Sequence, residues 1–194
     1  MFWKIYTYAS GMLIFTQLFF FYQMVRNYIY VIKKHFREEL SYRPRTLLTV
    51  PCKGIDKEFE KNIKSFYEQD YDNYYLHFVV ESGNDAAYGR LCELKEKFGT
   101  LTKAFEVRIL VSGISSSCSQ KLHNMLCSCN SAKADVEAMA FADSDACLRP
   151  EWLRHIVYPL RKDKNGAITG YRWFVPLRNN FASLLLSEIG RAHV

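Results

Sequence analysis

Glu137-Ala138-Met139-Ala140-Phe141-Ala142-Asp143-Ser144-Asp145 is the stretch on which the fold turns: a short apolar run ending directly on two carboxylates one residue apart. A run of this length reads as a buried strand. Just before it, 119–131 has helical spacing, and before that 107–111 is another short apolar run. The same alternation continues outward: strands over 46–50 and 75–80, helices over 58–69 (Phe59, Ile63, Phe66, Tyr67) and 85–98 (Leu91, Leu94, Phe98). Downstream, Pro150 starts a helix over 151–160, and 167–175 reads as a further strand. Short strands alternating with amphipathic helices predict an α/β fold: a Rossmann-like, mostly parallel sheet with helices on both faces.

Open parallel sheets bind ligands beyond the carboxyl ends of their strands. Here those ends carry Pro51-Cys52-Lys53-Gly54, Glu81-Ser82-Gly83-Asn84-Asp85, Ser112-Gly113 and Asp143-Ser144-Asp145. Asp143 and Asp145 offer two hard oxygen ligands, suited to Mg²⁺ or Mn²⁺ completed by water and a diphosphate. A solvated turn also produces Asp-x-Asp; its place at a strand end favours the metal. Lys121, in the first turn of a helix opened by Ser119, is placed to meet a phosphate, and a Ser N-cap followed by a solvated lysine is the plain alternative. Glu81 and Asp85 suit a ribose or base, with Asp85 equally an N-cap, and Lys53 is a phosphate ligand or a surface charge. Neither G-x-G-x-x-G nor G-x-x-x-x-G-K-[ST] occurs, which argues against dinucleotide and P-loop sites.

The chain has 194 residues, 49% of them apolar and 24% charged, the composition of a globular domain. Its net charge of +6 is concentrated between Arg26 and Arg45, where six Lys and Arg meet Glu38 and Glu39. The nearly neutral remainder argues against a nucleic-acid partner. Residues 5–25 hold no charge and are long enough to span a bilayer. No small-x-small cleavage site follows, so a membrane helix is preferred to a signal peptide, with an interfacial or bundle-packed helix as the alternative. The basic excess beyond this single pass, in a linker over 26–45, predicts a cytoplasmic body, where the six cysteines would be reduced. Cys127-Ser128-Cys129 near Cys118 lacks the second ligand pair of a zinc site and is assigned no metal.

The series Val50-Pro51-Cys52-Lys53-Gly54, Gln69-Asp70-Tyr71, Phe78-Val79-Val80-Glu81-Ser82, Ser119-Gln120-Lys121-Leu122-His123-Asn124, Asp143-Ser144-Asp145 and Thr169-Gly170-Tyr171-Arg172-Trp173-Phe174 resembles ceramide glucosyltransferase-like members of glycosyltransferase family 2. The resemblance spans 46–187 and follows the family's order. It implies a GT-A fold, a nucleotide-diphosphate sugar donor, a Mn²⁺ or Mg²⁺ ion, and inverting transfer to a lipid-like hydroxyl. It further implies that Asp143 and Asp145 serve the metal and diphosphate, that Lys121 and Asn124 form a donor-side pair, that Glu81 is the acidic position after the second strand, and that Pro51 and Lys53 belong to the donor site. Many relatives have aspartate where this chain has Ser82, and Asp85 is the substitute.

The family's catalytic-base aspartate and its Gln/Arg-x-x-Arg-Trp motif are expected downstream, because Tyr171-Arg172-Trp173 sits too early to be that motif. The chain thus reads as the N-terminal, nucleotide-sugar-binding part of the fold, inactive in transfer by itself. Residues 188–194 are set aside as read-through, since the adapter ATCGGAAGAGCACACGTC encodes Ile189-Gly190-Arg191-Ala192-His193-Val194 in one frame. Two other readings keep the fold: a nucleotidyltransferase, and a non-catalytic, membrane-tethered nucleotide-sugar-binding homologue.

Overall fold

The computed structural model describes residues 2–35, 40–170 and 180–181. The chain divides into two units, Met1–Leu40 and Ser41–Val194.

The first unit is one helix, α1 (Phe2–His35). It runs through the uncharged stretch and continues past Arg26 and Lys33, because charge marks a boundary of solvent preference and not of helix propensity. Thr7 and Thr16 donate their hydroxyls to the carbonyls of Trp3 and Met12, each at 2.8 Å. These residues therefore add little unpaired polarity to an apolar helix. Its segment Trp3–Tyr30 is long and apolar enough to cross a membrane.

The second unit is built on strands β1 (Thr46–Pro51), β2 (Tyr74–Val80), β3 (Glu106–Val111) and β4 (Ala138–Phe141). All pairings are parallel and the order is β3-β2-β1-β4. Leu48 faces Leu76 on one side and Ala140 on the other, and Val50 faces Phe78. Period-two alternation sends Leu48, Val50, Leu76, Phe78 and Val80 to one face. There they pack on Ile63 and Phe66 of α2 (Phe59–Tyr67), Leu91 and Leu94 of α3 (Ala86–Phe98), and Leu153 of α5 (Trp152–Val157). The other face is covered by α4 (Gln120–Asn130), where Ser128 Oγ meets Thr49 Oγ1 at 2.7 Å and His77 Nδ1 at 3.0 Å.

The expected α/β architecture, mostly parallel with helices on both faces, is what the chain adopts. Besides α1, which runs on from the expected 5–25 to His35 and so takes up residues 26–35 of the expected linker 26–45, two boundaries differ. The last helix gives way at Val157 to a 3₁₀ turn, Tyr158–Arg161, because Pro159 has no N–H to continue the α ladder. Residues 167–170 of the expected strand 167–175 are irregular; a strand exists through its partner, and no described strand pairs with them. Residues 171–175, with Tyr171-Arg172-Trp173-Phe174, and residues 188–194 lie outside the described residues.

The motif Gln69-Asp70-Tyr71 works as a clamp between elements. The Gln69 amide donates to the carbonyls of Ser65 and Arg149, while its Oε1 accepts from the Leu153 N–H at 3.0 Å. Asp70 accepts from Lys103 at 2.7 Å, and its N–H donates to Pro150 O. The end of α2 is thereby tied to the start of α5, and Tyr71 closes the bottom of the core through its bond to Pro44 O at 2.6 Å.

Candidate functional site

Because all four strands are parallel, their carboxyl ends share one edge, and there the ends of β1, β2 and β4 together with α4 form one pocket of about 250 Å³. Each wall has a local cause. After β1, the chain turns through Gly54 at φ +64, a left-handed conformation open to glycine. Asp85 holds that turn: one carboxylate oxygen accepts from the Gly54 N–H at 3.0 Å and from Ala87 N–H at 2.8 Å, the latter capping α3. Lys53, at the apex, reaches Glu81 at 3.2 Å beyond the end of β2.

The α4 wall is fixed by amides. Ser119 caps the helix by accepting from Leu122 N–H. Asn124, almost fully buried, accepts through Oδ1 from Ser112 Oγ (2.7 Å) and Gln120 Nε2 (2.8 Å), and donates to Val79 O (3.3 Å). Gln120 also donates to Gly113 O, where the chain again takes a positive φ of 81. This network pins the first turn of α4 to the ends of β2 and β3, leaving Lys121 to project across the pocket to the carboxylate of Asp143.

The fourth wall is the turn after β4. Ala142 N–H donates to Thr49 O, which continues the sheet, and Ala146 N–H donates to Asp143 O, which reverses the chain. Asp143, Ser144 and Asp145 line the pocket together. Cys52 lines it from β1; burial pushes its thiol up to about 12, so it stays protonated and serves as an apolar floor.

Of the residues that the sequence singles out, Pro51, Lys53, Glu81, Lys121, Asn124, Asp143 and Asp145 line the pocket, and Asp85 does not. Asp85 sits behind the β1 turn as a brace, and Asn124 is at once pocket wall and internal brace. Cys52, Gln120 and Ser144 also line the pocket, although the sequence assigns none of them to a site. Gln120 has a readable signal, lying four residues before Asn124 on a helix, the spacing at which side chains meet.

Asp143 and Asp145 are the residues that could hold a cation. Among the described residues there is no cluster of three His, Cys, Asp or Glu side chains of the kind an all-protein metal cage needs. Two carboxylates with two lysines nearby fit another arrangement, a cation that draws its remaining oxygens from water and a bound phosphate.

The family model for Glycosyl transferase family 21 matches residues 12–190. Among solved structures, the chain is similar to the mannosyltransferase PcManGT from Pyrobaculum calidifontis, determined with GDP-Man and Mn²⁺: 19% identity over 70% of this chain and 39% of that one, TM-score 0.52. It is also similar to S. aureus TarS (residues 1–349) with UDP-GlcNAc, at 14% identity over 68% of this chain and 38% of that one, TM-score 0.45. The chain thus spans about two-fifths of each of these structures. The mannosyltransferase likeness is one of fold, a GT-A-like parallel sheet with helices on both faces. With nearly the whole sequence matched by one family model, the chain belongs to glycosyl transferase family 21.

Proposed function

We propose that this chain is the donor-binding part of a membrane-anchored, ceramide glucosyltransferase-like enzyme that transfers a sugar from a nucleoside-diphosphate sugar to a lipid hydroxyl with inversion. The observation that carries the reading is the pocket itself, where two lysines and two aspartates from two strand ends and one helix share about 250 Å³. Family membership and the Mn²⁺–GDP-Man complex of the structural neighbour support it.

In this reading Asp143 and Asp145 hold Mn²⁺ or Mg²⁺, whose chemistry is to neutralise the charge that develops on the leaving diphosphate. Lys121 and Lys53 supply phosphate contacts from the other walls, and Glu81 is the acidic group nearest the nucleoside side. Asp85 and Asn124 keep these groups in place. Inversion requires a base that takes the acceptor proton as the hydroxyl attacks the anomeric carbon and the diphosphate departs. Glu81, Asp85 and Asp143 are engaged with Lys53, with the Gly54 and Ala87 amides, and with Lys121 respectively, so the base is assigned to none of them. The apolar α1 anchors the body to the membrane that holds the lipid acceptor, with the body on the cytoplasmic side.

The test is donor binding by calorimetry with UDP-glucose and GDP-mannose, in Mn²⁺ and in EDTA. The expected result is binding of a donor that needs the cation, with Asp145→Ala weakening it by roughly tenfold or more and removing the difference between Mn²⁺ and EDTA. Wild-type binding as tight in EDTA as in Mn²⁺, or Asp145→Ala binding the donor in Mn²⁺ as tightly as the wild type, would overturn the assignment.

A further inference from the structure

Lys121 donates to Asp143, one of the two carboxylates to which the cation is assigned, and the same lysine is a phosphate contact. Its geometry is built and not incidental, because the Gln120–Asn124–Ser112 network locks the helical turn that carries it. Lys53 is paired differently: its partner is Glu81, which belongs to no cation site. Resting on the proposed function, we infer that Lys121 is an exchangeable counter-ion that couples cation and diphosphate: Lys121 and the cation compete for Asp143, and the diphosphate resolves the competition by taking Lys121.

The physical argument is one of charge. A cation approaching Asp143 meets an ammonium group already on that carboxylate, so it must displace Lys121 and then sit beside it. A diphosphate accepts the displaced ammonium and adds oxygens to the cation, so the two ligands help each other bind. Linkage makes this coupling reciprocal. The side chains of Lys121 and Asp143 are 59% and 37% exposed, so the competition is screened by water and its effect on the cation alone is small. The diphosphate, which gains a charge-assisted hydrogen bond, feels the larger effect.

The experiment titrates Mn²⁺ into the 194-residue chain in detergent, reading free Mn²⁺ by electron paramagnetic resonance, alone and with UDP or GDP. Lys121→Gln should bind Mn²⁺ alone about two- to fivefold more tightly than the wild type. Its gain in Mn²⁺ affinity on adding the nucleoside diphosphate should shrink by about tenfold. Lys121→Arg should restore both wild-type values. Lys53→Gln removes the same charge from the same pocket but leaves Asp143 paired, so its effect on Mn²⁺ alone should be smaller than that of Lys121→Gln. Unchanged Mn²⁺ affinity in Lys121→Gln, or an equal rise in Lys53→Gln, would overturn the exchange while leaving the donor site standing. A wild type that takes up no Mn²⁺ with either nucleotide would remove the donor site and the exchange together.

Discussion

His77 stands in the middle of β2, one residue before Phe78, and is 2% exposed. Its Nδ1 meets Ser128 Oγ, which in turn meets Thr49 Oγ1. Burial, reinforced by the positive charge of Arg108, pushes its pKa down from 6.5 to about 4. The sign follows from proton counting. Above about 6.5 the imidazole is neutral in both states; between 6.5 and 4 the unfolded chain takes the proton and the folded one does not. Stability is therefore full above that window and falls as pH drops through it, by an amount on the order of 3 kcal/mol for one such group. The check is the denaturation midpoint of wild type and His77→Gln between pH 7 and pH 4, where the difference between the two should narrow or reverse as the wild type loses stability; a constant difference refutes it. At this scale the sequence is legible only where chemistry and position coincide. Asp143 and Asp145 stand out because a strand ends on them. Asp85 reads in the sequence as a ligand or an N-cap and Asn124 as a donor-side residue; in the folded chain Asp85 caps α3 and braces the β1 turn, and Asn124 is both pocket wall and brace, because the same polar groups serve either purpose. Which one they serve depends on partners such as Gly54, Ser112 and Val79 that only the folded chain supplies.

The β1 turn and α3 share one carboxylate, which makes a loop and a helix a single mechanical unit. Asp85→Ala should remove the α3 cap, about 1 kcal/mol of stability, and release the Gly54 amide as well. We expect a lower thermal midpoint together with weaker donor binding, while Asp85→Asn, which still offers an oxygen, should retain much of both. Thermal melts beside donor calorimetry decide this: a fall in midpoint with donor affinity unchanged would show that the brace does not reach the pocket. Gly54→Ala separates the two effects. A Cβ there meets nothing within 4 Å, so its penalty is the left-handed backbone alone, roughly 1–2 kcal/mol, with the α3 cap intact. Elements of this kind are largely legible, since all four strands lie within two residues of where apolar runs put them. Asp85, Ser119 and Ser131 flank their helices as capping residues do. What a sequence pattern misses is set by partners and by single atoms. Residues 167–170, expected to open a strand, depend on pairing that a one-dimensional pattern does not contain, and α5 ends on the missing N–H of Pro159. The clamp made by Gln69 joins α2 to α5 across about eighty residues of chain, a distance at which local periodicity is silent.

For the whole molecule, the proposed anchoring in a membrane makes a prediction from charge alone. Lys4 is the only Lys or Arg before the uncharged stretch, whereas Arg26, Lys33, Lys34 and Arg37 follow it closely. Positively charged flanks are retained on the cytoplasmic side during insertion, so the end of α1 that leads into the body should face the cytoplasm and Met1 the opposite compartment. The proposed function requires the same orientation if the pocket is to meet nucleotide sugars made in the cytoplasm. Cys147 is exposed beside the Asp143–Asp145 turn and reports on the body, while Trp3→Cys, at a position 81% exposed on α1, reports on the other end. In intact cells a membrane-impermeant maleimide should leave the unaltered chain, Cys147 included, unlabelled until the membrane is permeabilised. The same reagent should label the Trp3→Cys variant without permeabilisation. Reversing the flank with Arg26→Glu and Lys33→Glu, while adding lysines before Ile5, should invert both results, since the orientation is set by the difference between the two ends. Labelling of Cys147 in intact cells by the unaltered chain would overturn the topology. It would also separate the pocket from the nucleotide sugars proposed as its ligands, so the donor-binding measurement would have to be explained by a donor available on the far side of the membrane.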